Sequence, residues 1–361
     1  MGCDGEQGRH PPLSAAWCGG WVMARVRAAL VTPLSGPLAG FGRATAMALR
    51  VWAERFSGAD GVELEVVDAH PDARMAVRSV ERSRPELLFG PYGSGPAAAV
   101  VSATSRLVWN HGGARLEPRV NVVNVLAPAA SYFQGALRVV RRADRGARRV
   151  ALLHGATGFG RGVALGAERE AVRLGFVVER AVLPAEPPGG DVLLVAGRFD
   201  EEVAVARGLA RGGWSAVGFV GAGVEEVLAK LGARREGLLG PAQWLPAAAP
   251  RPDEGPGVRE FVAAYGGLAG GEPPYPAAQA FAAGVVALRC LRDAGGADDA
   301  ALAGAARALD CTTLFGRFRL SPESGRQIGH QVLTVQWQDG VRVVVWPPEQ
   351  ADAGLRYPLA G

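Results

Sequence analysis

The chain has 361 residues, 48% of them hydrophobic and 20% charged, with a formal net charge of +4. That is more than one ordinary domain holds and enough apolar sequence for a core in each of two, which excludes a disordered chain. No stretch reaches the roughly 20 apolar residues of a membrane helix, and the densest basic run, Arg138 to Arg149, lacks aromatic residues between its charges and contains Asp144, so it reads as a solvated helix end and not as a nucleic-acid surface.

In chain order, residues 1–22 lack a signal-peptide pattern: Asp4 and Glu6 stand where positive charge belongs and no continuous apolar stretch follows. Cys18 after Ala15, Ala16 and Trp17 is a faint lipoprotein-like feature, and residues 1–23 read as a disordered tail or an extension upstream of Met23. From Arg25, short β-type runs alternate with amphipathic helical stretches, the signature of α/β layers on parallel sheets. Strands are expected at 26–32, 62–68, 86–90, near 107–110 and 120–125, with helices over 42–57, 72–83, 95–106 and 129–142, which completes one doubly wound unit. A second unit opens with a strand at 149–154 and continues through a helix over 160–174, strands at 176–182 and 191–196, a helix over 200–212, a strand at 216–221, a helix over 223–231 and a strand at 237–241. After the proline-rich stretch 246–256 come helices near 257–265, 275–293 and 298–309, then strands near 315–320, 331–337 and 341–346.

One connection breaks the rhythm. Parallel neighbouring strands need a crossover of about a dozen residues, usually a helix, and residues 183–190 (LPAEPPGG) cannot form one. Either the flanking strands are not neighbours or a covering helix is missing.

The motifs that carry chemistry are incomplete. Gly158, Gly160 and Gly162 follow a strand and open a helix, but a dinucleotide fingerprint needs glycine where Val163 stands. A phosphate loop needs Gly-Lys-Ser/Thr, and Lys230, the sole lysine, sits in an ordinary helical pattern. His111-Gly112-Gly113-Ala114 has the look of an esterase oxyanion turn, yet Tyr92 replaces the glycine of a nucleophile elbow around Ser94 and the chain order is wrong. His111 and His154 are the only histidines placed as bases, and neither has an evident orienting carboxylate. Cys3, Cys18, Cys290 and Cys311 lack metal-ligand or redox spacing, so no metal and no cofactor is expected; Cys290 and Cys311 sit in helical apolar patterns. What the glycine-rich turns share is position at strand ends, where open α/β sheets bind ligands. Ser94 is placed to cap the helix beginning at 95, where its hydroxyl and the free N–H groups of that turn also suit an anion.

A resemblance enters with Thr32-Pro33-Leu34-Ser35-Gly36-Pro37-Leu38-Ala39 and Gly42, Phe89-Gly90-Pro91-Tyr92-Gly93-Ser94-Gly95, Gly158-Phe159-Gly160-Arg161-Gly162 with Gly166, Glu170 and Gly175, and Thr313-Leu314-Phe315-Gly316-Arg317-Phe318 followed by Ser321 to Gly325. In order and spacing these resemble the branched-chain amino acid (Leu/Ile/Val-binding-like) group of the type I periplasmic-binding-protein family, from about Arg25 to Val345. The resemblance implies an α/β fold of two doubly wound parallel-sheet lobes joined by a three-segment hinge. Lobe 1 would be 24–145 plus 247–328, and lobe 2 would be 146–246 plus 329–361. It also implies a non-enzymatic receptor that closes on a small ligand and serves an ABC importer permease. Ser94 and the backbone of Gly112, Gly113 and Ala114, with His111 at the head of that segment, would hold a ligand carboxylate; Phe41 and Phe159 would cover the ligand, with Tyr92 and Tyr275 beside the cleft.

Two departures sharpen this. Gly223 stands where members that bind amino acids carry an acid for the ligand ammonium, and Arg198 or Phe199 stands near a family tyrosine. An arginine there favours an anion, and a buried ammonium without a partner is costly, so the expected ligand is a carboxylate or an amide other than a standard α-amino acid. The short 183–190 connection would bare a lobe 2 face for a partner protein or a second copy of the chain. The family implies a periplasmic or extracellular location, whereas residues 1–22 leave open a cytoplasmic sensor similar to the amide-sensing regulators of the same fold, which pass ligand state to a partner protein.

Overall fold

The computed structural model describes residues 25–210 and 212–359, so the tail with Cys3, Cys18 and Met23 lies outside the described residues. Two parallel sheets organise the chain. The first contains β1 (Val26–Thr32), β2 (Val62–Asp68), β3 (Leu87–Phe89), β4 (Val108–Asn110) and β5 (Val122–Asn124) in the order β2-β1-β3-β4-β5, every pairing parallel. Between its strands run α1 (Ala39–Val51), α2 (Ala73–Glu81) and α3 (Ser94–Ala103). The central strand explains the layering: alternate side chains point to opposite faces, so Ala28 and Leu30 join a core with Leu49, Trp52 and Phe281, while Ala29 and Val31 join Val77, Val80 and Val101 on the other side. Burial on both faces is why this strand is an uninterrupted apolar run after Arg27.

The second sheet contains β6 (Arg149–His154), β7 (Val177–Val182), β8 (Val192–Ala196), β9 (Ala216–Phe219) and β10 (Leu239–Ala242), extended by the late antiparallel strands β13 (Leu333–Gln338) and β14 (Val341–Trp346), in the order β14-β13-β10-β9-β8-β6-β7. Its helices are α4 (Gln134–Ala143), α5 (Gly158–Arg173), α6 (Phe199–Gly208) and the short α7 (Glu225–Leu228). The remaining helices α8 (Val258–Ala269), α9 (Tyr275–Ala294) and α10 (Asp299–Ala308) return to the first sheet, where α9 packs along α1. A hairpin of β11 (Asp310–Thr313) and β12 (Gly316–Arg319) precedes the last crossing.

The chain therefore passes between sheets three times, after β5, β10 and β12, as the two-lobed type I fold requires. Side-chain hydrogen bonds from two glutamines and a histidine bind the crossings together. Gln327 Nε2 donates to the Val125 carbonyl at 3.1 Å, Gln243 Nε2 to the Ala127 carbonyl at 3.2 Å, and His330 Nε2 to the Gln243 carbonyl at 3.0 Å.

Several expectations change. Helix α4, grouped with the first unit by sequence order, packs on α5, β10, β13 and β14. The Arg138–Arg149 run is less a solvated end than a clamp: Arg138 pairs with Glu170 at 2.7 Å, and Arg141 lies 3.7 Å over the Phe176 ring while donating to the Leu174 carbonyl. The helix expected over 223–231 is broken into a 3-10 turn at Val220–Gly223, α7, and a second 3-10 stretch at Ala229–Arg235 interrupted by Gly232. Cys311 lies on β11 and not on a helix, and both it and Cys290 are buried free thiols. Strands β7 and β8 flank β6 on opposite sides, so they are not neighbours, and residues 183–191 cross β6 without a helix. Val177 and Val182 on the edge strand β7 remain exposed.

Candidate functional site

A cleft cavity of about 630 Å³ opens where the carboxyl ends of β3, β4, β6, β8, β9 and β10 converge, and its lining is predominantly apolar. This is the edge at which parallel sheets bind ligands, because strand-to-helix turns there expose free backbone N–H groups.

The first-lobe wall is built around two turns. Gly93, with φ of 96°, turns the chain out of β3 into α3, which starts at Ser94 itself. Ser94 is therefore not a helix cap, as its position before residue 95 suggested. Its Oγ accepts from the Arg115 N–H at 3.2 Å, which leaves its hydroxyl proton free to donate. The facing turn is held from behind by Asn110, which is fully buried: its Oδ1 accepts from the N–H groups of Gly112 (3.3 Å) and Gly113 (2.8 Å), while Nδ2 donates to the Gly113 carbonyl and to Asn124 Oδ1. The glycine N–H groups that would face a ligand carboxylate are thus used internally. Among the described residues the Ala114 N–H makes no hydrogen bond, so this donor, the Ser94 hydroxyl and the N–H groups of Ser94 and Gly95 in the first turn of α3 are the ones this wall offers.

On the second-lobe wall the arginine is not a free cation. Arg198 pairs with Asp200 at 3.3 Å and Glu201 at 3.2 Å and is largely exposed, so its charge is already compensated. Gly223 has no room for a side chain, since a Cβ would lie 1.8 Å from the Pro241 carbonyl oxygen. Behind this wall sits Glu202, fully buried, accepting from the N–H groups of Gly197 at 3.0 Å and Gly221 at 2.6 Å. Burial outweighs these hydrogen bonds and raises its carboxyl to about 8. Glu226 on α7 is exposed and outside the lining, but its negative charge reaches Tyr92 and Tyr275.

The deep part of the cleft is aromatic and uncharged. The hydroxyls of Tyr92 and Tyr275 hydrogen-bond each other, and burial holds both well above the usual phenol range. Tyr132 is raised to about 12 by burial and accepts from Gln243 Nε2 at 3.1 Å, and its ring meets Phe159 edge-on at 5.5 Å. Gln279 lies one turn beyond Tyr275 on the same face of α9 and also lines the cavity.

Comparison with known proteins agrees with this geometry. A family model described as periplasmic binding protein matches residues 25–341. The chain belongs to the periplasmic binding protein family. Its fold is similar to that of a leucine-binding protein from Thermotoga maritima MSB8 (TM-score 0.71, 21% identity, covering 88% of this chain and 97% of that one). It is also similar to an R. palustris ABC transporter solute-binding protein solved with benzoate (TM-score 0.72, 17% identity, 89% and 95% covered). A third is a solute-binding protein of Rhodopseudomonas palustris BisB5 in complex with 3,4-dihydroxybenzoic acid (TM-score 0.68, 19% identity, 88% and 95% covered).

As a periplasmic binding protein the chain brings nine of its twelve expected positions into one cavity: Tyr92, Ser94, Gly112, Ala114, Phe159, Arg198, Phe199, Gly223 and Tyr275. Three stand elsewhere. Phe41 backs the lining, stacked on Tyr92 at 4.7 Å and reaching Phe199 across the cleft at 5.8 Å. Gly113 faces a smaller recess of about 120 Å³ beside Arg115 and Arg326. His111 is sealed in the interior, and burial drops its imidazole to about 4, so it stays neutral and is no base for Ser94. His154 Nδ1 donates to the Gly155 carbonyl at 2.9 Å, and the residue is also away from the lining.

Sequence reasoning missed Thr157, Tyr132, Gln243 and Gln279, all in the lining. Thr157 was readable, because a threonine before the Gly158 helix start is an N-cap, and its Oγ1 accepts from the Gly160 N–H at 3.0 Å. Gln279 follows Tyr275 by four residues, a helical repeat that was also available.

Proposed function

We propose that this solute-binding protein is the receptor subunit of an ABC importer, that it binds without turnover, and that its ligand is a carboxylate with a flat apolar body and no α-ammonium group. The observation that carries this reading is the polarity of the cleft. Ser94, the first turn of α3 and the Ala114 N–H supply donors for an anion, whereas the one acid in the lining, Asp200, is already paired with Arg198. Aromatic rings from both sides favour a planar ligand body. Closure would take place about the three crossings, with 25–126 plus 247–328 moving against the rest. The burial of His111 away from Ser94 supports a reading of binding without turnover.

Calorimetric titration with benzoate, hydroxybenzoates, aliphatic carboxylates and leucine tests the reading. A stoichiometric heat with benzoate or a hydroxybenzoate and none with leucine supports it; tight binding of leucine alone, or of an aliphatic carboxylate in preference to the aromatic ones, overturns it. Glu226 supports a second reading, in which an amino acid ligand draws this exposed acid to its ammonium when the lobes close. In that case Glu226→Gln abolishes leucine binding and leaves benzoate binding unchanged.

A further inference from the structure

Two neutral side chains deep in the cleft are poorly satisfied, and they are in the same cavity. Gln243 and Gln279 are 6% and 1% exposed, both line the cleft, and among the described residues neither side-chain carbonyl oxygen has a hydrogen-bond partner. The orientation of Gln243 is set from its other end, since Nε2 donates to the Ala127 carbonyl and to the Tyr132 hydroxyl. A buried acceptor left unmade is destabilising, so two of them on side chains that line one cavity point to a ligand group that donates.

The hydroxyls around them complete the inventory. Tyr132 accepts from Gln243, so its own proton is unspent; of the two protons on the Tyr92 and Tyr275 hydroxyls, their mutual bond uses one. With the two N–H groups of Gln279 Nε2, which make no hydrogen bond among the described residues, the patch offers two free acceptors and four free donors, and it carries no charge because burial keeps all three phenols protonated. A group that both donates and accepts while staying neutral matches this set. A carboxylate only accepts and an ammonium only donates.

We propose that the deep wall of the cleft is a second, uncharged subsite, formed by the carboxamides of Gln243 and Gln279 with the Tyr132 hydroxyl, that takes a hydroxyl or carboxamide group carried by the ligand. This rests on the receptor reading above but not on its carboxylate. Gln243 also belongs to the crossing segments, through Ala127 and through His330, so a ligand held here touches the hinge directly.

The test uses the full chain and three sets of probes in calorimetric titration: benzoate, with a carboxylate only; phenol and benzamide, with the neutral group only; and 3- and 4-hydroxybenzoate and 4-carbamoylbenzoate, with both. The variant is Gln279→Met, which keeps the volume and removes the amide; Gln279→Glu is a second variant that keeps the acceptor. The expected result is that at least one probe with both groups binds wild type about tenfold more tightly than benzoate, that Gln279→Met erases this gain while leaving benzoate within about twofold, and that Gln279→Glu retains part of it. Benzoate binding with no gain from any added group, or equal losses for all probes in Gln279→Met, overturns the subsite and leaves the carboxylate reading standing. Binding of phenol or benzamide that is lost in Gln279→Met, with no binding of benzoate, keeps the subsite and overturns the carboxylate. Binding of none of the probes overturns both.

Discussion

Asn110, at the end of β4, and Glu202, in the first turns of α6, stand behind the two walls of the cleft, each fully buried and each gathering the N–H groups of two glycines, Asn110 from the one turn after β4 and Glu202 from the turns after β8 and β9. They differ in chemistry. Asn110 is a neutral amide that also donates from Nδ2, so the first-lobe wall is self-contained at any pH. Glu202 is an acid that burial has pushed up to about 8, so its wall is held by a carboxyl whose charge changes with pH. One wall is fixed and the other depends on a proton.

The largest effect expected belongs to the wall that has no slack. Gly223→Ala puts a methyl group 1.8 Å from the Pro241 carbonyl oxygen, and denaturant unfolding should show a loss of about 4 kcal/mol. A loss under about 1 kcal/mol would mean that this turn yields and that an acid could be accommodated there. Asn110→Ala removes four hydrogen bonds from the opposite turn and strands two buried N–H groups; about 3 kcal/mol should be lost, equally at pH 6.5 and pH 8. A pH-dependent loss would erase the contrast between the walls.

Glu202 sharpens the contrast through linkage. Its pKa rises from 4.5 to about 8 on folding, so the folded chain holds a proton that the unfolded chain releases between those values. The stability this gives is complete below 4.5 and is lost as the pH climbs through 8. His111 and His330 act in the opposite sense: burial drops both from 6.5 to about 4, so they add stability as the pH rises to 6.5 and nothing more above it. The window from 6.5 to 8 is left to Glu202, where unfolding free energy should fall by about 1.5 kcal/mol. Unfolding curves for Glu202→Gln should be flat across that window; an unchanged slope would place the proton on another group.

Smaller effects concern the ligand. Ser94→Ala should weaken a carboxylate ligand by about tenfold in calorimetry with little change in melting temperature, because its hydroxyl accepts only one internal bond. Arg198→Ala should change affinity less than about threefold, since Asp200 and Glu201 already neutralise it. A tenfold loss there would return Arg198 to the role its position suggested.

The glycine-rich turns after β3, β4 and β6 could be read from the sequence because backbone geometry at a strand end is a local property. Asn110, Glu202 and Gln243 could not. Each looks like an ordinary polar residue until the fold brings distant turns beside it, as Gln243 meets Ala127 only through a crossing of the chain. Arg198 misled for a related reason: its neutralising partners stand two and three residues on, but only the start of α6 turns them toward it. The β11–β12 hairpin was half missed, because Cys311 and its neighbours continue an apolar rhythm that fits the end of α10 equally well.

The bonds that join Val125 to Gln327, Ala127 to Gln243 and Gln243 to His330 make the three crossings a bearing and not a slack tether. A bearing confines motion to one axis and resists sideways shear. In the closure proposed above the two walls would therefore meet in the same register each time, so that selectivity among ligands would be a matter of how far they close and not of how they are aligned.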